Sequence, residues 1–94
     1  MNIYEIIWLQ KIVEKLLIKH AVSKKEVYEL FLNQPDIRFV EKGDVKNEDL
    51  YVASGQTING RYLVVFFVLK SKHKALVISA RDMNKRERKT YEKK

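Results

Sequence analysis

Apolar positions first recur at helical spacing in residues 8–20. Leu9, Ile12, Val13, Leu16, Leu17 and His20 follow one another at steps of three and four, while Gln10, Lys11, Glu14, Lys15 and Lys19 mostly take the other side. The pattern predicts an amphipathic helix. A β-branched and aromatic stretch, residues 2–7, precedes it and reads as a short strand. A second helix is announced by Ser23 and Glu26, spaced as a capping box, with Val22 and Val27 placed as a hydrophobic staple. Val27, Leu30 and Phe31 form its apolar face, and Pro35 forbids its continuation past Asn33.

Beyond the proline the period changes from helix to strand. Residues 36–40 read as a strand, followed by a charged loop over 41–49. Residues 51–58 and 61–69 read as a hairpin around Asn59-Gly60, with a two-residue turn pairing Ile58 with Arg61 and Thr57 with Tyr62. The run from Tyr62 to Leu69 is apolar at both parities, which predicts a central strand covered on both faces. Residues 74–79 return as a further strand ending at Arg81. Residues 84–93 form a last helix, too polar and basic to carry the core and expected to lie loosely, anchored by Met83 and Tyr91. The fold class expected is α+β: a small antiparallel sheet of about four strands, packed with two N-terminal helices and a C-terminal basic helix. Ninety-four residues fit a single domain, 1–94, with one core and no deep enclosed cavity.

Charge changes this picture. The chain carries a net +7, all of it in the second half: residues 1–50 hold 8 Lys and Arg against 9 Asp and Glu, and residues 51–94 hold 11 against 3. A one-sided positive field suits a polyanion such as RNA, or an acidic protein partner. The plain alternative is a solubilising lysine surface. The sequence has no cysteine, which removes disulfides, thiolate zinc sites and thiol nucleophiles, and fits a reducing, cytoplasmic setting. The longest apolar run spans eight residues, Tyr62 to Leu69, against about 20 for a membrane helix. No membrane association is expected. Neither a glycine-rich phosphate loop nor a cluster at metal-ligand spacing is visible, so no metal and no cofactor is expected.

What remains is a set of basic groups. Arg81 ends the last strand, and Arg88 and Tyr91 share a face of the last helix with Asn84; Lys85 and Lys89 share the adjacent face. Guanidinium groups suit phosphate because the planar fork binds two oxygens at once. In phosphoryl transfer they stabilise charge building on phosphorus. A solvated basic tail is the rival explanation. His20 stands at the C-terminal end of the first helix, and histidine is the residue type whose unperturbed pKa, about 6.5, suits proton transfer near neutrality; a lone histidine on an apolar face is also commonly just packed. His73 lies in a lysine-rich turn and reads as exposed and uninvolved. Trp8, Tyr28, Tyr51 and Tyr62 could stack on bases, yet at this spacing aromatic residues more often build the core.

Three segments, in order, resemble one family. Trp8 followed by Lys19-His20-Ala21-Val22-Ser23 resembles the opening of BrnT-type toxins. Asp49 to Thr57 with Asn59 to Phe67 resembles that family's central hairpin, and Ile78-Ser79-Ala80-Arg81-Asp82-Met83 with Arg86-Glu87-Arg88 and Tyr91 resembles its C-terminal signature. The resemblance covers nearly the whole chain. It implies a RelE-like fold, translation arrest by RNA cleavage, and neutralisation by a cognate antitoxin. Its residue-by-residue carry-over is Lys19, His20, Arg61, Arg81, Arg88 and Tyr91. Ala21 stands where the family usually has glycine, and Asp82 where many members carry a second basic residue; an aspartate beside Arg81 is expected to weaken its field.

These readings converge on a metal-independent endoribonuclease toxin. His20, Arg81, Arg88 and Tyr91 are the catalytic candidates. Lys19, Arg61, Lys85, Arg86 and Lys89 are the candidates for holding RNA phosphates. The expected partners are RNA and an antitoxin with an acidic, partly disordered segment, and oligomeric state is left open. Two other classes fit the charge: a non-catalytic nucleic-acid binder, and a module that only binds its antitoxin.

Overall fold

The computed structural model describes residues 1–93. Its elements run β1 (Glu5–Ile7), α1 (Gln10–His20), α2 (Lys24–Leu32), β2 (Asp36–Glu41), β3 (Leu50–Gln56), β4 (Tyr62–Ser71), β5 (Lys74–Asp82) and α3 (Lys85–Glu92). This is an α+β fold, and its sheet has the order β1-β5-β4-β3-β2. The expected antiparallel sheet of about four strands is therefore extended to five and made mixed. The three-residue β1 joins the outer side of β5 in parallel. Parallel pairing requires a crossover, and α1 and α2 begin it.

Strand alternation assigns the two faces. Leu63, Val65 and Phe67 of β4 are fully buried with Leu16 of α1 and Val27 and Leu30 of α2. Val64, 1% exposed, points the other way, and with Val52 and Phe66 it borders a shared hollow with Arg86, Glu87, Thr90 and Tyr91. So α1 and α2 cover one face and α3 covers the other, and β4 is the central strand its doubly apolar pattern predicts.

The capping box of α2 forms as its spacing predicts: the Glu26 N–H donates to Ser23 Oγ at 3.2 Å and the Ser23 N–H to Glu26 Oε1 at 3.0 Å. The staple residues Val22 and Val27 are both buried. Helix α1 starts two residues later than predicted, and Leu17 on its supposed inner face is half exposed.

The hairpin register is one residue away from the predicted one. Gln56, not Thr57, pairs with Tyr62. Gly60 N–H donates to Thr57 O at 2.9 Å and Thr57 N–H to Arg61 O at 3.0 Å, and Gly60 sits at φ 86. This is a turn followed by a left-handed glycine, the longer hairpin loop. Thr57, 4% exposed, favours it, because its Oγ1 accepts from the Arg61 N–H at 3.1 Å.

Candidate functional site

The candidate residues gather at one end of the sheet, where β4 begins and β5 ends. There the alternation of strands splits them between the two faces. Arg61 and Asp82 face α1 and α2; Arg81 and Tyr62 face α3.

On the first face Arg61 is the centre. All three of its nitrogens donate: Nε to Asp82 Oδ1 at 2.7 Å, Nη1 to Ala21 O at 2.7 Å and Glu26 Oε2 at 3.1 Å, and Nη2 to His20 O at 2.8 Å and Asp82 Oδ2 at 3.3 Å. The side chain is 25% exposed. A guanidinium whose donors are already satisfied has little to offer a phosphate, and the geometry makes Arg61 a tie between the end of α1, the start of α2 and the end of β5. The two carbonyls it binds belong to the C-terminus of α1, which carries partial negative charge. Ala21 ends that helix in the left-handed region, φ 51, with its N–H and that of Val22 returning to Leu17 O and Leu16 O. This conformation suits glycine, the residue the family resemblance places there.

His20 is half-buried beside this tie. Hydrogen bonding to Arg61 holds the Asp82 carboxyl below its ordinary range against the opposing effect of burial, and the charge of Arg61 and then of His20 adds to the lowering. Burial pushes Glu26 upward, but the Ser23 N–H and Arg61 outweigh it and leave it lowered. Arg61 is raised, first by its hydrogen bonds to Asp82. Lys19 is exposed.

On the opposite face Arg81 makes a two-pronged pair with Glu87, Nη1 to Oε1 at 2.7 Å and Nη2 to Oε2 at 2.9 Å. The Arg81 guanidinium carbon lies 5.8 Å from the Phe66 ring centre. This pair raises Arg81 and lowers Glu87, each chiefly through the hydrogen bonds to the other. The neighbour expected to weaken Arg81, Asp82, points to the other face and is bound to Arg61 instead. The carboxylate on Arg81 is Glu87, which reading by adjacency missed.

Glu87 does a second job. Its carboxylate accepts from the Asn84 N–H at 2.9 Å, while Asn84 Oδ1 accepts from the Glu87 N–H at 2.8 Å. That is a capping box for α3, visible in the sequence as Asn84 and Glu87 three apart but not read there. Helix α3 is accordingly held by more than Met83 and Tyr91. Arg88 lies over the Tyr62 ring at 4.1 Å and its Nε stands 3.5 Å from Glu92 Oε2. The Tyr62 hydroxyl donates to Glu92 Oε2 at 3.1 Å, and Tyr91 meets Tyr62 edge to face at 6.0 Å. The expected loose lie of α3 is corrected by these contacts: they replace the apolar anchors its sequence lacks. Lys85, Arg86, Arg88 and Lys89 stay exposed, so the outer side of α3 is cationic.

Of the other aromatic candidates, Tyr51 stacks on Phe67 in the core, and Trp8 pairs with Tyr28, donating its Nε1–H at 3.3 Å. His73 is exposed, its Nδ1 2.8 Å from Asn2 O. Among the described residues no group of three or more metal-ligating side chains comes together, and no helix is long and apolar enough to cross a membrane.

The five-stranded mixed sheet, its helices on both faces and the cationic end define the class: a small α+β fold with a basic rim. The crystal structure of the Brucella abortus ribonuclease toxin BrnT is similar to it, with a TM-score of 0.63 and 21% sequence identity over 86% of this chain and 97% of that one. No curated protein matches the sequence. The family described as ribonuclease toxin, BrnT, of type II toxin-antitoxin systems matches residues 8–87. The chain belongs to this family of endoribonuclease toxins, whose biology implies an RNA substrate and a cognate antitoxin.

Proposed function

We propose that the chain cleaves RNA without a metal ion, at the end of the sheet where β4 begins and β5 ends, and so arrests translation. The observation that supports this most is a run of contacts at this end of the sheet: on one face Arg61 binds the His20 backbone carbonyl and Asp82, and on the other Arg81, next in the chain to Asp82, binds Glu87 of α3. It ties residues distant in sequence to one rim. The RNA backbone runs along the exposed cations Lys85, Arg86 and Lys89, with Lys19 supporting it on the other face. Arg61 contributes indirectly, by holding the His20 turn.

The step is an internal transesterification. The 2′-hydroxyl oxygen attacks the adjacent phosphorus and the bond to the 5′-oxygen breaks, leaving a 2′,3′-cyclic phosphate and a 5′-hydroxyl. His20 takes the 2′ proton, and Tyr91 supplies the proton the leaving oxygen gains. Arg88 and Arg81 stabilise the charge on the non-bridging oxygens, and Arg81 does so by exchanging one prong of Glu87 for phosphate. The antitoxin neutralises this rim with an acidic, partly disordered segment that folds along the cationic side of α3.

Inducing the chain with and without the adjacent reading frame, followed by RNA integrity analysis, tests the reading. RNA is expected to be degraded by the wild type in chelator as well as in magnesium, and to survive His20→Ala. Intact RNA under every condition, with normal growth, ends it. Cleavage that persists in His20→Ala but is lost in Tyr91→Phe removes His20 from the mechanism.

A further inference from the structure

Beside the contacts that hold α3 lies a hollow of about 590 Å³ whose lining includes Gln34, Asp36, Gln56, Tyr62, Tyr91 and Glu92. Its size falls within the range of about 300–1,000 Å³ that small-ligand sites occupy, and most of its lining residues carry hydrogen-bonding groups. We propose that this hollow is a base-reading subsite that takes guanine from single-stranded RNA; the proposal rests on the RNA-cleaving reading above and adds to it a sequence preference.

The chemistry of the lining selects the base. Tyr62 and Tyr91 supply aromatic surface, and Arg88 already stacks on Tyr62 at 4.1 Å, so a base enters beside a cation suited to its own phosphate. Glu92 Oε2 is used by Tyr62 and Arg88, at 3.1 and 3.5 Å; a carboxylate has two oxygens and about four acceptor positions, and Oε1 has no hydrogen-bond partner among the described residues. Guanine presents two adjacent donors, N1–H and the N2 amino group, to such a carboxylate. Adenine and cytosine place a ring lone pair next to their amino group, which a carboxylate repels, and uracil has one N–H flanked by two carbonyls. The guanine O6 needs a donor. Gln56 can supply one, since its Nε2 makes only a long bond, 3.4 Å, to Gly60 O, and Gln34 is the second amide in reach of the hollow. Gln34 is also held at φ 48, a left-handed conformation that side-chain-bearing residues seldom adopt. Backbone strain of this kind collects at ligand clamps.

Two measurements test the subsite. In the first, the ¹⁵N-labelled protein is titrated with GMP, AMP, CMP and UMP while the side-chain amide signals of Gln34 and Gln56 are followed. Shifts with GMP, absent or much weaker with the other three, support it. Equal responses to all four, or none to any, overturn it. In the second, an RNA cleaved by the wild type is prepared with inosine replacing guanosine next to each cut, which removes only the N2 amino group. Cleavage is expected to fall roughly ten-fold or more, the size of one lost base-edge contact, and Glu92→Gln is expected to erase the difference between the two RNAs. Cleavage indifferent to inosine overturns the subsite while leaving the nuclease intact. An RNA that is never cut defeats the nuclease reading instead, and the nucleotide titration then still decides whether the hollow binds guanine.

Discussion

Asp82 Oδ1 accepts a hydrogen bond from Arg61 Nε at 2.7 Å, and this pair reassigns both residues. Asp82 follows Arg81 in sequence, yet strand geometry turns them to opposite faces. The aspartate therefore does not quench the phosphate-seeking arginine beside it. It completes a tie that holds the His20 turn against the end of β5.

If Arg61 is such a tie, its loss should cost stability and catalysis without touching RNA contacts. Arg61→Met is expected to lower unfolding free energy by about 2 kcal/mol, the scale of losing charge-assisted hydrogen bonds, read by thermal or urea melts. Below the melting range kcat should fall while the slope of RNA affinity against salt stays as in the wild type, since no phosphate contact is removed. Arg61→Lys should recover only part, because an ammonium cannot reach four residues with a planar fork.

Arg88 should behave in the opposite way. Its side chain is exposed on α3 but stacks on Tyr62 and pairs with Glu92, so Arg88→Ala should keep the fold and loosen α3 by about 1 kcal/mol. The salt slope of RNA binding should become shallower by about one contact, and cleavage should fall sharply. An unchanged slope would place the phosphate elsewhere.

Acid should loosen this end of the molecule. Asp82, Glu87 and Glu26 all have carboxyl groups held below their ordinary values in the folded chain. A carboxylate lowered on folding contributes stability that is present above its unfolded pKa, about 4, and is lost as pH falls through the lower folded value. Unfolding free energy should thus decline on acidification below about pH 4, and Asp82→Asn should flatten part of that decline. Solvent exposure keeps the Asp82 contribution small, because its side chain is 64% exposed; Glu87 and Glu26, at 29% and 26%, carry more of the decline.

Ala21 sits at φ 51 with a side chain that contributes nothing to the core. Ala21→Gly is expected to stabilise the protein by up to about 1 kcal/mol, because a left-handed helix end strains a Cβ, offset in part by the entropy glycine adds to the unfolded chain. Calorimetry reads the sign directly. A destabilised variant would show that the strain is already relaxed.

The C-terminal helix makes a local test. Asn84→Ala removes one half of its capping box and should cost about 1 kcal/mol, with hydrogen exchange rising first in residues 85–92. The Arg81–Glu87 pair should weaken with it, since Glu87 is shared between the cap and the arginine.

The sequence by itself determined most of the local structure. Spacing alone located the α2 capping box and its staple, the proline stop, the central strand and the concentration of positive charge in the second half, because each depends on residues a few positions apart. The Asn84–Glu87 box was equally legible and was hidden only by the helix's lack of apolar residues. Tertiary structure decided the rest. The parallel docking of β1 joins residues some 70 apart and leaves no local mark. The one-residue hairpin shift depends on Thr57 becoming buried and taking the Arg61 N–H. Which arginine pairs with which carboxylate follows from the faces on which strand alternation and helix packing set them, so Arg61, Arg81 and Arg88, alike in sequence, become a tie, a paired cation and an exposed one.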